Sequence, residues 1–333
     1  PLKIYYMFRG DNFQTAFSVI FARMFGIDVY WSHMILVPLL WGVFVPVAAF
    51  MVTKALGTSE KTSVLSSLIV SLFPTSILWG AESIPNGLSY MFFFFVIYFL
   101  LRYINSNGRK DILLVAIFFL ASFLSHYLAG TVAFSLILLA SSIKTYQNEK
   151  AISPSRAKSM LLVSFIFCGS ILPFALAYRR FFYPWADTRF SLQPFQELQP
   201  PAALFTCLLG NYFDLISREA YITSLIFGVA PLVGLIAMVY ILGISFKSNS
   251  KGSVDPSVLF LFLGVALIAV DDRILKLFMT NVPFVEADRL WVFRDFLLFS
   301  FTALFIVGAI SSLRAFFDRA SRSVFRVFHK TSL

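Results

Sequence analysis

The chain has 333 residues, 59% of them hydrophobic and 13% charged, with a net charge of +10 and a mean hydropathy of +0.81. A soluble domain carries about 25% charged residues, and 41 Phe side chains are more than a core enclosed by this length can bury. A water-soluble globule, a disordered chain and, with two Cys, a disulfide scaffold are excluded, so lipid must solvate most of this surface.

The chain opens at Pro1 without a basic leader or cleavage pattern, and it reads as a fragment or a processed product. In 13–25, Phe13, Phe17, Ile20, Phe21, Met24 and Phe25 recur at helical spacing, with Gln14, Ser18 and Arg23 off that side. This pattern predicts a helix lying along a bilayer surface. Apolar runs of spanning or near-spanning length follow at 33–53, 62–79, 87–101, 111–124, 127–143, 160–178, 224–243, 257–270 and 291–313. The expected fold is all-α: a polytopic transmembrane helical bundle of about nine spans, with interfacial helices on its outer face. A second such helix, interfacial or re-entrant, is predicted at 201–217.

The loops fix an orientation. Loops 54–61, 102–110, 144–159, 244–256 and 314–333 hold 16 of the 27 basic residues with five acids nearby; the other face keeps 11 basic residues against 12 acids. By the positive-inside rule the first set is cytoplasmic and residues 1–32 lie outside. The net charge is thus a topology signal, and no nucleic-acid partner is expected. Three regions follow: an outer-face loop remnant at 1–32 with its amphipathic helix, a transmembrane domain at 33–313, and a basic cytoplasmic tail at 314–333. The longest outer stretch is 179–223, and the longer connections all fall on the outer face, which marks that face as the working one.

Polar groups beside apolar spans are costly and so are candidates for function. Glu82 is the one charge in the turn Gly80-Ala81-Glu82-Ser83-Ile84-Pro85-Asn86-Gly87. It can bind an acceptor or a metal, or simply favour the start of the following helix. His126, in Ser125-His126-Tyr127 between two spans, can bond a phosphate or sugar hydroxyl or shuttle a proton, or only satisfy a helix end. Tyr183, Trp185 and Phe190, with Arg179, Arg180, Asp187 and Arg189, make either a headgroup-binding surface or an ordinary aromatic belt.

The densest cluster lies at the outer ends of the last two spans: Asp271, Asp272, Arg273, Lys276, Glu286, Asp288, Arg289, Arg294 and Asp295. A guanidinium donates two parallel hydrogen bonds to a phosphate, and Arg289 and Arg294 are spaced to converge on one anion if helical. The alternative is a set of structural ion pairs between Arg294 and Asp295 or Asp271. The sequence carries no P-loop, Rossmann glycine pattern, HExxH or Cys/His metal spacing.

The layout resembles the GT-C class of polytopic membrane glycosyltransferases, which includes oligosaccharyltransferase catalytic subunits and dolichyl-phosphate-sugar-dependent mannosyltransferases. The resemblance is carried by Phe25-Gly26-Ile27-Asp28, Thr53-Lys54-Ala55-Leu56-Gly57, Glu82-Ser83-Ile84-Pro85-Asn86, Ser125-His126-Tyr127-Leu128, and Ala287-Asp288-Arg289-Leu290-Trp291-Val292-Phe293-Arg294. A WWDYG-like signature is absent. The resemblance implies a polyprenyl-phosphate-linked sugar donor held in the bilayer, a glycan, lipid or protein acceptor, and inverting transfer at the outer face of a plasma-membrane protein. It further implies Arg289, Arg294 and Arg273 on the donor phosphate, with Asp288, Asp271 and Asp272 in support. Asp11, Glu82 and His126 are the candidates for acid–base work. The class places its catalytic carboxylate in the first outer loop, which implies a span and a base upstream of Pro1. The resemblance fixes no cofactor; a divalent ion can replace or assist the arginines. The competing expectations are a flippase or transporter for lipid-linked glycans and a non-catalytic membrane subunit.

Overall fold

The computed structural model describes residues 11–72, 85–106, 108–148, 162, 233–241, 243, 255–278, 293, 296–298 and 300–311. Among these residues the chain is helical throughout, with short connecting turns and no strand. Seven helices follow in chain order: α1 (Asp11–Phe25), α2 (Val29–Ala55), α3 (Glu60–Leu72), α4 (Pro85–Ser106), α5 (Arg109–Ser125), α6 (Tyr127–Asn148) and α7 (Pro256–Phe278). Further helical stretches cover 233–241 and most of 296–311.

Among the described residues, three helices have the length and apolarity to cross a membrane: Val29–Ala55, Gly87–Ser106 and Leu128–Thr145. The first, at 27 residues, is about 40 Å long at 1.5 Å per residue, more than a hydrocarbon core needs. The runs expected at 111–124 and 257–270 also fold as helices, in α5 and α7. The expected run at 62–79 is helical as far as Leu72, and its remainder lies outside the described residues. The spans expected at 160–178, 224–243 and 291–313 lie largely or partly outside them, as do the loop 179–223 and the tail 314–333.

Local chemistry sets the helix ends. Gly26, at φ +66°, closes α1, and the Ile27 amide donates to Ala22 O at 3.1 Å, the six-to-one bond of a Schellman end. Asp28 then caps α2 by accepting from the Tyr30 amide at 2.7 Å. Gly57, at φ +74°, ends α2, its amide donating to Lys54 O at 3.0 Å, before α3 begins. Within α2, Pro38 and Pro46 remove two backbone donors. Ser67 of α3 donates to Pro46 O at 2.6 Å, tying the two helices at that point.

Helix α4 is the axis of the bundle and packs against α2, α5, α6 and α7. Its core is aromatic. Phe94 stacks on Phe296 at 3.6 Å and meets Trp41 edge-on at 5.9 Å, while Phe293 sits edge-on to Phe93 and Tyr90 at 4.5 and 4.9 Å. The chain near residue 293 is thereby anchored to the first half of α4. Opposite this core, Ile35, Leu39, Val43 and Val47 of α2 form an exposed row at four-residue spacing. Leu113, Ile117, Leu120 and Leu124 form another on α5. A helix that is apolar on its packed and its open side alike fits hydrocarbon and not water.

Several polar groups inside the bundle pair across helices. Thr53 Oγ1 lies 2.9 Å from Ala49 O, 2.8 Å from Ser66 Oγ and 2.7 Å from Ser300 Oγ, joining α2, α3 and the 296–311 stretch. Thr53→Val keeps the shape and leaves both serines short of a partner. The expected loss is about 1 kcal/mol, because interhelical hydrogen bonds in membranes are modest. Reversible unfolding of the variant in detergent–lipid mixtures measures it.

The helix ends flanking four of the connections expected on one face meet at one end. Asn105 Nδ2 donates to Ala55 O at 3.1 Å, Ser257 Oγ to Asn105 Oδ1 at 2.7 Å and Lys144 Nζ to Ile104 O at 2.6 Å. Arg102 pairs with Asp111 at 3.2 Å. The last turns of α2, α4 and α6 and the first turns of α5 and α7 therefore share a level, as alternating spans require.

Candidate functional site

The opposite end carries the candidate site, and two polar corners define what the structure shows of it. In the first, α1 folds back on α2. Ser32 Oγ donates to Ser18 O at 2.7 Å, and Ser18 Oγ lies 3.3 Å from His33 Nδ1. Ser18 and Ala22 are buried while Phe17, Ile20, Met24 and Phe25 face outward. The amphipathic helix expected at 13–25 is thus present. Ser18 and Ala22 face the bundle, and most of its apolar stripe is on the open side.

The second corner joins α4, α5 and α6. Ser89 Oγ donates to Ser122 O at 2.8 Å, and Ser122 Oγ returns a bond to Ser89 O at 3.1 Å, all of it buried. One turn on, His126 ends α5 in extended backbone, its amide donating to Ser122 O at 2.9 Å. Its ring begins α6: Nδ1 accepts from the Leu128 amide at 3.3 Å. That bond selects the tautomer with the proton on Nε2. Half-buried His126 therefore caps a helix, and the same bond fixes the ring at the bundle's end.

The remaining predicted residues divide in two. Asp11 is the first residue of α1, and Asp271, Asp272 and Arg273 fall on α7. Because α7 starts beside Asn105, a rise of 1.5 Å per residue carries these three about 24 Å towards the end that holds His126. Glu82, Asp288, Arg289 and Arg294 lie outside the described residues. Phe293, between the two arginines in sequence, is buried against Tyr90 and Phe93, in the half of α4 that leads from Ser89. Among the described residues no three His, Cys, Asp or Glu side chains gather as a metal-holding group.

The Ser18–Ser32–His33 and Ser89–Ser122 contacts escape a reading along the chain. Each depends on how two helices are rotated against each other, and only the small size of the serines hints at close crossings.

The segment 15–172, which runs from α1 past the end of α6, matches the family model of dolichyl-phosphate-mannose-protein mannosyltransferase. No curated protein and no solved structure matches the chain. That family is one of membrane glycosyltransferases that take sugar from a polyprenyl-phosphate-linked donor, and its match agrees with the apolar helices of an integral, multi-pass membrane protein. Over 15–172 the chain is accordingly similar to GT-C-type membrane glycosyltransferases, the resemblance its sequence layout carries.

Proposed function

We propose that the chain is the membrane-embedded part of a glycosyltransferase that moves a sugar from a polyprenyl-phosphate-linked donor to an acceptor at the outer face. The family match over residues 15–172 carries this reading, since it covers the two polar corners at one end of the bundle. In this reading the bundle has about nine spans in a plasma membrane, with residues 1–32 outside and the C-terminus cytoplasmic.

The chemistry follows from where the donor sits. A polyprenyl tail stays in hydrocarbon, so its phosphate and sugar lie at the outer level, where α4 begins and α5 ends. A carboxylate accepts the proton of the acceptor hydroxyl as that oxygen attacks the anomeric carbon. Glu82 and Asp11 are the acidic candidates within this chain, and His126 is a proton carrier held in place by its bond to Leu128. Charge builds on the departing phosphate, and Arg289, Arg294 and Arg273 stabilise it. Asp288, Asp271 and Asp272 orient those guanidinium groups. A single displacement inverts the anomeric centre.

Membranes containing the whole protein, supplied with a radiolabelled polyprenyl-phosphate sugar and a panel of glycan, lipid and peptide acceptors, test the reading. A labelled glycoside with inverted configuration is the expected product. Movement of labelled lipid between leaflets with no new glycosidic bond overturns the reading in favour of a flippase.

A further inference from the structure

At the end of the bundle opposite the proposed site, the charges are unequal. Lys54, Lys61, Arg102, Arg109, Lys110 and Lys144 gather there with Glu60, Asp111 and Asp255. Two of the three acids are already engaged. Asp111 accepts from Ser106 Oγ at 3.0 Å and pairs with Arg102, and Asp255 caps α7 by accepting from the Ser257 and Val258 amides. Lys144 is held on Ile104 O, at the negative end of α4. Lys54, Lys61, Arg109 and Lys110 remain exposed and carry no ion pair among the described residues.

Three of these cations open two helices whose outer sides are apolar. Arg109 and Lys110 begin α5, and directly along it lie Leu113, Ile117, Leu120 and Leu124, each more than half exposed. Lys61 stands in the same relation to the exposed Val64 and Leu68 of α3. A free anion would find the charges but no use for the stripe. A phospholipid uses both, with its headgroup phosphate on the cations and an acyl chain along the leucines.

We infer that the first turn of α5, with Arg109 and Lys110 above the Leu113–Ile117–Leu120–Leu124 stripe, is a docking site for an anionic glycerophospholipid. Its neighbour on α3, headed by Lys61, is a weaker copy. The inference rests on the geometry of this end and is independent of the proposed transfer reaction.

Electron spin resonance of the whole protein in phosphatidylcholine vesicles tests it, using spin-labelled phosphatidylglycerol and spin-labelled phosphatidylcholine as probes. Phosphatidylglycerol is expected to be immobilised at least about threefold more strongly, with the preference falling as salt rises. The double variant Arg109→Gln, Lys110→Gln should lose most of that preference. The charge-keeping exchange Arg109→Lys, Lys110→Arg should retain it, which separates lost charge from lost fold. Equal immobilisation of the two lipids, or an unchanged preference in the Gln variant, overturns the site. So does inorganic phosphate abolishing the preference at matched ionic strength, since that marks a site for a free anion.

Discussion

Arg294→Ala is expected to lower sugar transfer by about a hundredfold or more while the protein still inserts and folds, with Arg289→Ala following the same pattern. The size comes from the role: removing a donor that stabilises charge developing in the transition state costs about 2.7–4 kcal/mol in comparable sites. Arg294→Lys should recover only part of the loss, because an ammonium keeps the charge but not the planar fork that holds two phosphate oxygens. A structural ion pair makes the opposite prediction. Breaking it would leave a carboxylate buried without its partner and would lower stability before activity. Initial rates with a polyprenyl-phosphate sugar, measured beside thermal unfolding of the same membrane preparation, separate the two. Full activity in Arg294→Ala would remove this residue from the site.

Phe293 makes the comparison sharper. It is wholly buried between Phe93 and Tyr90, so the chain beside Arg294 is fastened to α4 by packing that the Ala variant leaves in place. A loss of rate at unchanged stability then belongs to the guanidinium itself.

Hydropathy along the chain made most of the helices legible. The runs at 33–53, 87–101, 111–124, 127–143 and 257–270 each lie within an observed helix, in several cases longer at both ends by a few residues. Helix ends extend past the apolar run because Asp28, Pro85 and Asp255 start them in polar sequence, where hydropathy is silent and capping chemistry decides. The periodicity of 13–25 identified α1 but not which side would face the bundle. In water the apolar stripe turns inward; beside lipid it stays outward, and Ser18 and Ala22 take the packed side. The basic residues also marked which helix ends lie together: Lys54, Arg102, Arg109 and Lys144 fall at one end of the described bundle.

The site was legible only in part. Intramembrane polarity singled out His126, and its ring does end up fixed at a helix junction. The sequence alone left open that Nδ1 would be taken by the Leu128 amide, because that bond depends on the sharp turn between α5 and α6. The serine contacts across α4 and α5 were invisible for a related reason: a serine in an apolar run looks the same whether it faces lipid, its own helix or a neighbour.

Gly130→Ala should destabilise the bundle by about 1–3 kcal/mol, the usual range for forcing a methyl group into a packed contact. The cause is the crossing of α5 and α6. A Cβ added at Gly130 would stand 2.6 Å from Phe123 Cα, and backbone cannot step aside as the tip of a side chain can. The two helices must therefore separate just below the turn that joins them. Gly42→Ala is the control: an added methyl there meets nothing within 4 Å, and Ala is the better helix former, so it should be neutral or slightly stabilising. The separation reaches the candidate site, because Gly130 donates its amide to His126 O at 3.2 Å and Leu128 holds the His126 ring. Both bonds span the junction that the extra methyl pries open. If His126 works at the site, Gly130→Ala should lose transfer at temperatures where it is still folded, and His126→Ala should lose it without the full stability cost. If Gly130→Ala is less stable yet transfers normally when folded, His126 is a cap alone, and the proton carrier must be sought elsewhere.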